Sequence, residues 1–264
     1  TMNIVPADYI TTGFIHAKEA GVIAGLPVAE EVFRILNRDL SFQVLCRDGE
    51  RVEAGRLLAR VEGDARTILM GERLALNFLQ RLSGIATKTA AMAAIIKNEK
   101  AQITDTRKTT PGLRVLEKYA VRVGGGYNHR FGLYDAVLIK DNHIKVAGGI
   151  AEAVKRVQNA SFFCPRIEVE VETLEGLREA LAAKADIIML DNMDLDTMRE
   201  AVKIANGQVL LEASGGVTEK TVLEIAKTGV DYISTGSLTH AVKSLDISLD
   251  VGEMKPLKGY VAAK

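Results

Sequence analysis

"RIEVEVETLEGLREALAAKADIIMLD", residues 166 to 191, decides how the chain is read. Two short apolar runs, "RIEVEVE" and "ADIIMLD", flank a helical stretch, the order expected of parallel strands covered by helices. The same pattern recurs beyond residue 100, where "AQITD" (101–105), "DAVLIK" (135–140), "GQVLLEAS" (207–214) and "VDYISTG" (230–236) also read as strands. Six such strands predict an α/β fold built on a closed or nearly closed β/α barrel. In a barrel every strand brings its carboxyl end to one rim. Asp105 to Lys108, Lys140 to Asn142, Glu170 to Glu172, Asp191 with Asn192, Ser214 to Gly216, and Gly236 are therefore expected to converge.

Side chains alternate along a strand, so Ile167, Val169 and Val171 should face the helices while Glu168, Glu170 and Glu172 face the interior. An unpaired buried carboxylate costs several kcal/mol. Lys140, Arg107 or a divalent metal should meet these groups, and Asp191 on the adjacent strand makes a pair of carboxylates suited to Mg²⁺. Glu168 has a second reading, a salt-bridge layer closing the barrel floor. The last two strand ends carry "ASGGV" (213–217), followed by a helix expected from Thr218, and "STGSLTH" (234–240). Small residues there let backbone N–H groups face a phosphate. No GxxxxGK[ST] pattern is present, which disfavours a nucleoside triphosphatase.

"DTRKTTPGLR" (105–114) sets Arg107 beside Lys108 ahead of a Pro-Gly brake, and "GGGYNHR" (124–130) leads through glycines to His129 and Arg130. Planar guanidinium groups clamp carboxylates bidentately, so with Lys140 these residues suit a ligand carrying carboxylate as well as phosphate. Between Asp105 and Lys145 there are eight basic and four acidic residues, a local excess of +4. Arg114, Lys118 and Arg122 recur at helical spacing and read as a solvated helix face.

Overall the charges balance, with 34 basic and 34 acidic side chains, which argues against a general polyanion such as nucleic acid as partner. Cys46 and Cys164 form no CxxC pair, so neither a disulfide framework nor a zinc knuckle is indicated. The chain shows no uninterrupted apolar run of about 18 residues or more, and the expectation is a cytoplasmic protein with no membrane partner. At 264 residues there is room for one large barrel domain or two smaller ones.

The front third differs from the rest. "GVIAGLPVAEEVFRIL" predicts a helix after a Gly-Leu-Pro opening, and "SFQVLCRDGERVEAGRLLARVEG" predicts two short strands around an Asp48-Gly49 turn. Residues 65 to 100 show helical periodicity, with Ser83-Gly84 as the expected break between two helices.

"DTRKTTPGLRVLEKYAVRVGGGYNHRFGLYDAVLIKDNHI", "EVEVETLE", "IIMLDN", "LEASGGV", "GVDYISTGSLTH" and "ERLALNFLQRLSGIAT" together resemble the quinolinate phosphoribosyltransferase family, over nearly the whole chain. Members of that family carry a further helical segment ahead of the stretch that opens here as "TMNIVPADYITTG". The resemblance implies a smaller N-terminal α/β sandwich domain (1–83), an open, incomplete β/α barrel with the active site (84–245) and a C-terminal segment (246–264) returning to the first domain. It implies a homodimer, with higher oligomers open, in which Arg73 reaches the partner's site. The implied reaction joins quinolinate to 5-phosphoribosyl 1-pyrophosphate, releasing pyrophosphate and then CO₂. Arg73, Arg107, His129, Arg130 and Lys140 would hold quinolinate; Lys108 and Lys140 would face the pyrophosphate. Glu170 and Asp191 would hold Mg²⁺ and the ribose hydroxyls, and Ser214, Gly215, Gly216 and Gly236 the 5-phosphate. Lys140, Glu170 and Asp191 form the implied catalytic set, His240 has no assigned role, and no organic cofactor is required. Alternatives are a paralogue acting on another ring carboxylate and a phosphosugar-binding regulator.

Overall fold

The computed structural model describes residues 1–160 and 166–253. In chain order the elements are β1 (Ile10–Ala17), β2 (Gly21–Val22), α1 (Leu26–Leu36), β3 (Ser41–Val44), β4 (Arg51–Val52), β5 (Leu57–Asp64) and α2 (Ala65–Ile95). There follow β6 (Gln102–Thr104), α3 (Arg114–Val123), β7 (Val137–Ile139), α4 (Asp141–Ala147), α5 (Ile150–Ala160), β8 (Ile167–Val171) and α6 (Leu174–Ala182). The last are β9 (Ile187–Asp191), α7 (Leu195–Ala205), β10 (Leu210–Ser214), α8 (Val222–Ala226), β11 (Tyr232–Ser234), α9 (Ser237–His240) and β12 (Ile247–Val251). Two compact units result: residues 1–90, 115–125 and those from 242 form one, residues 91–114 and 126–241 the other.

In the first unit four strands pair in the order β12-β1-β5-β3, with β2 and β4 as a separate pair. Ile15, Leu26, Phe33, Leu58, Ile68 and Leu79 are fully buried in its core, and the Phe33 and Phe42 rings stack with centroids 5.8 Å apart. The hairpin expected around Asp48-Gly49 does not form, because β3 pairs antiparallel with β5 while β4 pairs with β2. Asp48 instead accepts hydrogen bonds from the backbone N–H groups of Gly25 and Leu26, where α1 begins with Pro27 in its first turn. A carboxylate there meets amides left unpaired at a helix start. Nor does α2 break at Ser83-Gly84; it runs unbroken for 31 residues. Both small residues serve packing. Ser83 Oγ accepts from Ala24 N–H and donates to Ala24 C=O, and a side chain at Gly84 would collide with the Lys243 carbonyl.

The second unit is a parallel sheet of six strands in the order β6-β11-β10-β9-β8-β7. That is the order of a barrel opened between its first two strands. Ile167, Val169 and Val171 are buried, as the alternation along β8 requires, while Glu172, beyond the strand end, is exposed. The helix expected from Thr218 starts later, at Val222, since Thr218 and Thr221 hydrogen-bond to each other and close a turn first. Arg114 and Lys118 are not a solvated face. Lys118 is 3% exposed, and Arg114 donates to Thr109 Oγ1, Phe131 C=O and Arg107 C=O, tying down the loop that carries Arg107. Cys46 is a buried free thiol, pushed up to about 11 by burial, and Cys164 lies outside the described residues.

Candidate active site

Within the second unit the ends of all six strands contribute to one cavity of about 620 Å³. That size suits a small-molecule ligand pair. It is lined by Arg107, Lys108, His129, Arg130, Lys140, Glu170, Asp191, Ser214, Gly215, Gly216, Gly236 and His240, with Glu212 and Ser234 deeper in. Arg73 belongs to the first unit, with a side chain 70% exposed, and is not among the lining residues.

One wall is cationic. Arg107 and Arg130 keep their guanidinium Nε atoms buried with no hydrogen-bond partner. Burial and the neighbouring Arg107 charge lower the pKa of Arg130, with Glu168 and Asp135 opposing. Two half-buried cations side by side, each with an idle buried Nε donor, are organised to hold an anion. The loop holding Arg130 is fixed from below: Asp105, fully buried, accepts from Asn128 Nδ2 at 2.6 Å and from His129 N–H at 2.9 Å. Asp135 accepts from the N–H groups of Phe131 and Gly132.

In the same lining, Lys140 Nζ lies 2.7 Å from Glu170 Oε2, and Asp191 Oδ2 accepts from Asn192 Nδ2 at 2.8 Å. Glu170 sits one residue from the end of β8, and Asp191 ends the neighbouring β9. Their oxygen donors match what Mg²⁺ takes from a protein beside phosphate and hydroxyl oxygens. Elsewhere in the lining the backbone is bare. Gly215 and Gly216 are both left-handed, with φ of +96° and +61°, and a Cβ on Gly215 would strike Asn192 Oδ1. With no side chains to shield it, the backbone here is open to close approach by a ligand. At Gly236 a Cβ would come within 2.9 Å of both Lys108 Cδ and His240 Cδ2. Thr239 Oγ1 donates to the Lys108 carbonyl at 2.7 Å, holding that lysine's loop against α9.

Beneath the cationic wall lies a buried cluster. His129 Nε2 is 3.0 Å from Glu168 Oε2 and 3.5 Å from Glu212 Oε2, and the two glutamates are 5% and 3% exposed. Glu168 thus closes the floor through His129, whereas Lys140 goes to Glu170. Glu212 escapes sequence reasoning because it stands alone in the apolar run "VLLEAS"; its parity with Ser214 on a strand ending at the rim was the available signal.

Cationic side chains and bare glycine backbone lining one cavity define an α/β protein with a built anion site. Family models narrow this class: residues 1–83 match the quinolinate phosphoribosyl transferase N-terminal domain and residues 85–250 its C-terminal domain. The chain belongs to the quinolinate phosphoribosyltransferase family. It is 51% identical over 237 residues to a probable nicotinate-nucleotide pyrophosphorylase [carboxylating] of Bacillus subtilis (strain 168), covering 90% of this chain and 82% of that protein. A chloroplastic nicotinate-nucleotide pyrophosphorylase [carboxylating] of Arabidopsis thaliana is 43% identical, with 95% of this chain and 76% of that one covered. The crystal structure of NadC from Streptococcus pyogenes superimposes with a TM-score of 0.91 at 44% identity, covering 96% of this chain and 90% of that one.

Proposed function

We propose that the protein transfers the phosphoribosyl group of 5-phosphoribosyl 1-pyrophosphate to quinolinate and decarboxylates the product, giving nicotinate mononucleotide, pyrophosphate and CO₂. The observation that carries this reading is that Arg107 and Arg130, with unused buried Nε donors, line the same cavity as the paired left-handed glycines 215 and 216. Arg107, Arg130 and Lys140 take the two carboxylates of the pyridine, with His129 on the same wall. Ser214, Gly215, Gly216 and Gly236 seat the 5-phosphate, and Lys108 faces the pyrophosphate.

As the pyrophosphate leaves, the ribose carbon becomes cationic and the ring nitrogen bonds to it. Holding the two reactants in line supplies about 7–11 kcal/mol of barrier reduction, so no nucleophilic side chain is needed. Glu170 and Asp191 would hold Mg²⁺, which when bound neutralises charge on the departing pyrophosphate. Lys140 neutralises Glu170 and stands ready for the same leaving group. In our reading the protein is a cytoplasmic homodimer, with Arg73 completing the partner's site. Among the described residues no helix is long and apolar enough to cross a membrane.

Incubating the purified protein with quinolinate, phosphoribosyl pyrophosphate and Mg²⁺ tests the proposal. It expects stoichiometric CO₂ and nicotinate mononucleotide. Turnover of nicotinate but not of quinolinate would overturn it.

A further inference from the structure

Glu212 is central to this inference, which rests on the reaction proposed above. It lies on β10, 3% exposed, and its carboxyl reaches the cavity. Glu168 faces it from β8, His129 from the loop before β7 and Ser234 from β11; its register neighbours are Met189 on β9 and Tyr232 on β11. His129 is the one imidazole placed against both carboxylates. Nδ1 accepts the Arg130 backbone N–H at 2.8 Å, and a nitrogen that accepts carries no proton. One imidazole N–H remains, on Nε2, and it is closest to Glu168. Glu168 and Glu212 each keep an oxygen, Oε1, buried and without a partner.

Two buried carboxylates set against one imidazole carry more negative charge than that ring can balance. Burial and then the Glu168 charge push the Glu212 carboxyl up to about 8, against smaller opposing effects of His129 and Ser234. A divalent ion is the other way to neutralise such a trio. A ligating imidazole, however, donates its second N–H, and here that nitrogen accepts. The extra charge on the cluster is therefore a proton, held at the cavity that Glu212 lines.

We propose that Glu212 is a catalytic acid, supplying the proton that takes the place of CO₂ on the pyridine ring. When the C2–carboxylate bond breaks, its electron pair stays on C2 beside the quaternised N1, and CO₂ departs. C2 then takes the proton from the Glu212 carboxyl, forming the C–H bond of the product. Glu212 is left as a carboxylate, and water in the cavity restores its proton. This acid acts only after phosphoribosyl transfer, so the two half-reactions separate in its absence.

Glu212→Gln keeps the shape and hydrogen bonding but has no acidic proton. Pyrophosphate and CO₂ are followed on the same single-turnover samples from about pH 6 to about pH 9. The expected result is pyrophosphate release within about threefold of wild type, CO₂ release slowed by about 10²-fold, and accumulation of the carboxylated mononucleotide. Because the acid form is the active one, the wild-type CO₂ step declines as pH rises through about 8, and the variant loses that decline. Equal slowing of both products, or no slowing of CO₂, overturns the proposal. A wild type that yields no pyrophosphate from quinolinate overturns the parent reaction instead. Infrared difference spectra of the wild type between about pH 7 and about pH 9 give a readout free of turnover and of the variant's folding. Absence of a carboxylic acid C=O band at the lower pH also overturns it.

Discussion

Buried polar atoms are treated differently in the two units of this chain. In the first unit, among the described residues, only His16 Nδ1 and Arg60 Nε are buried without a hydrogen-bond partner. In the second the same is true of Thr104 Oγ1, Arg107 Nε, Arg130 Nε, Glu168 Oε1, Glu212 Oε1 and Ser234 Oγ, and Arg107, Arg130, Glu212 and Ser234 line the cavity. Leaving such atoms unsatisfied costs roughly 1–3 kcal/mol each, so a fold keeps them where something else gains. The first unit is organised for packing and the second for a ligand that completes its hydrogen bonds. Substitutions in the two should then fail in different ways.

Phe33→Ala is the largest expected effect on the packing side. The ring is fully buried, stacks on Phe42 and fits where Gly71 leaves room for it. Its loss removes about 3–5 kcal/mol of stability, measured by urea denaturation, with KM for both substrates unchanged in the protein that remains folded. A Phe33→Ala protein of wild-type stability breaks the contrast. Arg107→Ala tests the other side. Removing one preorganised charge from the anion wall should lower kcat/KM for quinolinate by about 10²–10³-fold, while the melting temperature stays level or rises because a buried, unpaired donor is gone. A matching loss of stability would mean that the arginine is a packing residue.

How much of this was legible in the sequence follows the same division. All six strands of the parallel sheet were visible, because each is a short apolar run ended by polar or small residues, and that pattern is local. Arg107, Arg130, Lys140, Glu170, Asp191 and the glycines 215, 216 and 236 lie at strand ends or in adjoining loops, where chain order predicts a common rim. Ser83-Gly84 misled, since small residues mark helix ends on propensity alone, whereas here Ser83 bridges to Ala24 and Gly84 makes room for the Lys243 backbone. Spacing placed Lys118 on an exposed face, yet contacts distant in sequence bury it. Glu212 was hidden for a physical reason: one charged residue in an apolar strand is informative only when its cross-strand company is known, and that company, Glu168 and His129, comes from elsewhere in the chain.

Gly215→Ala sharpens the comparison at intermediate size. At φ +96° any side chain is strained, and this one would also push Asn192 away from Asp191. A cost of about 1–3 kcal/mol to the fold is expected from the strained backbone, and the displaced turn should weaken ligand binding as well. KM for phosphoribosyl pyrophosphate should rise by about tenfold or more, with KM for quinolinate changed far less. Equal increases in the two constants would show that the glycine turn does not serve the phosphate end alone.

Tyr119→Phe should have the smallest effect, and it probes how well the first unit satisfies its polar groups. The Tyr119 hydroxyl donates to Asp48 Oδ2 at 2.6 Å, and burial together with that bond pushes the phenol up to about 12. Asp48 also accepts the Gly25 and Leu26 amides, so losing the tyrosine hydroxyl still leaves the carboxylate two donors. Because the phenol is more than one-third exposed, the expected loss is only about 0.5–1 kcal/mol in denaturation, with kcat and both KM values unchanged. Asp48→Ala should cost more than Tyr119→Phe, since it strips the start of α1 of its acceptor and leaves the tyrosine hydroxyl unpaired as well. If the two substitutions cost the same, the helix-start bonds contribute nothing and the first unit is not held together as described.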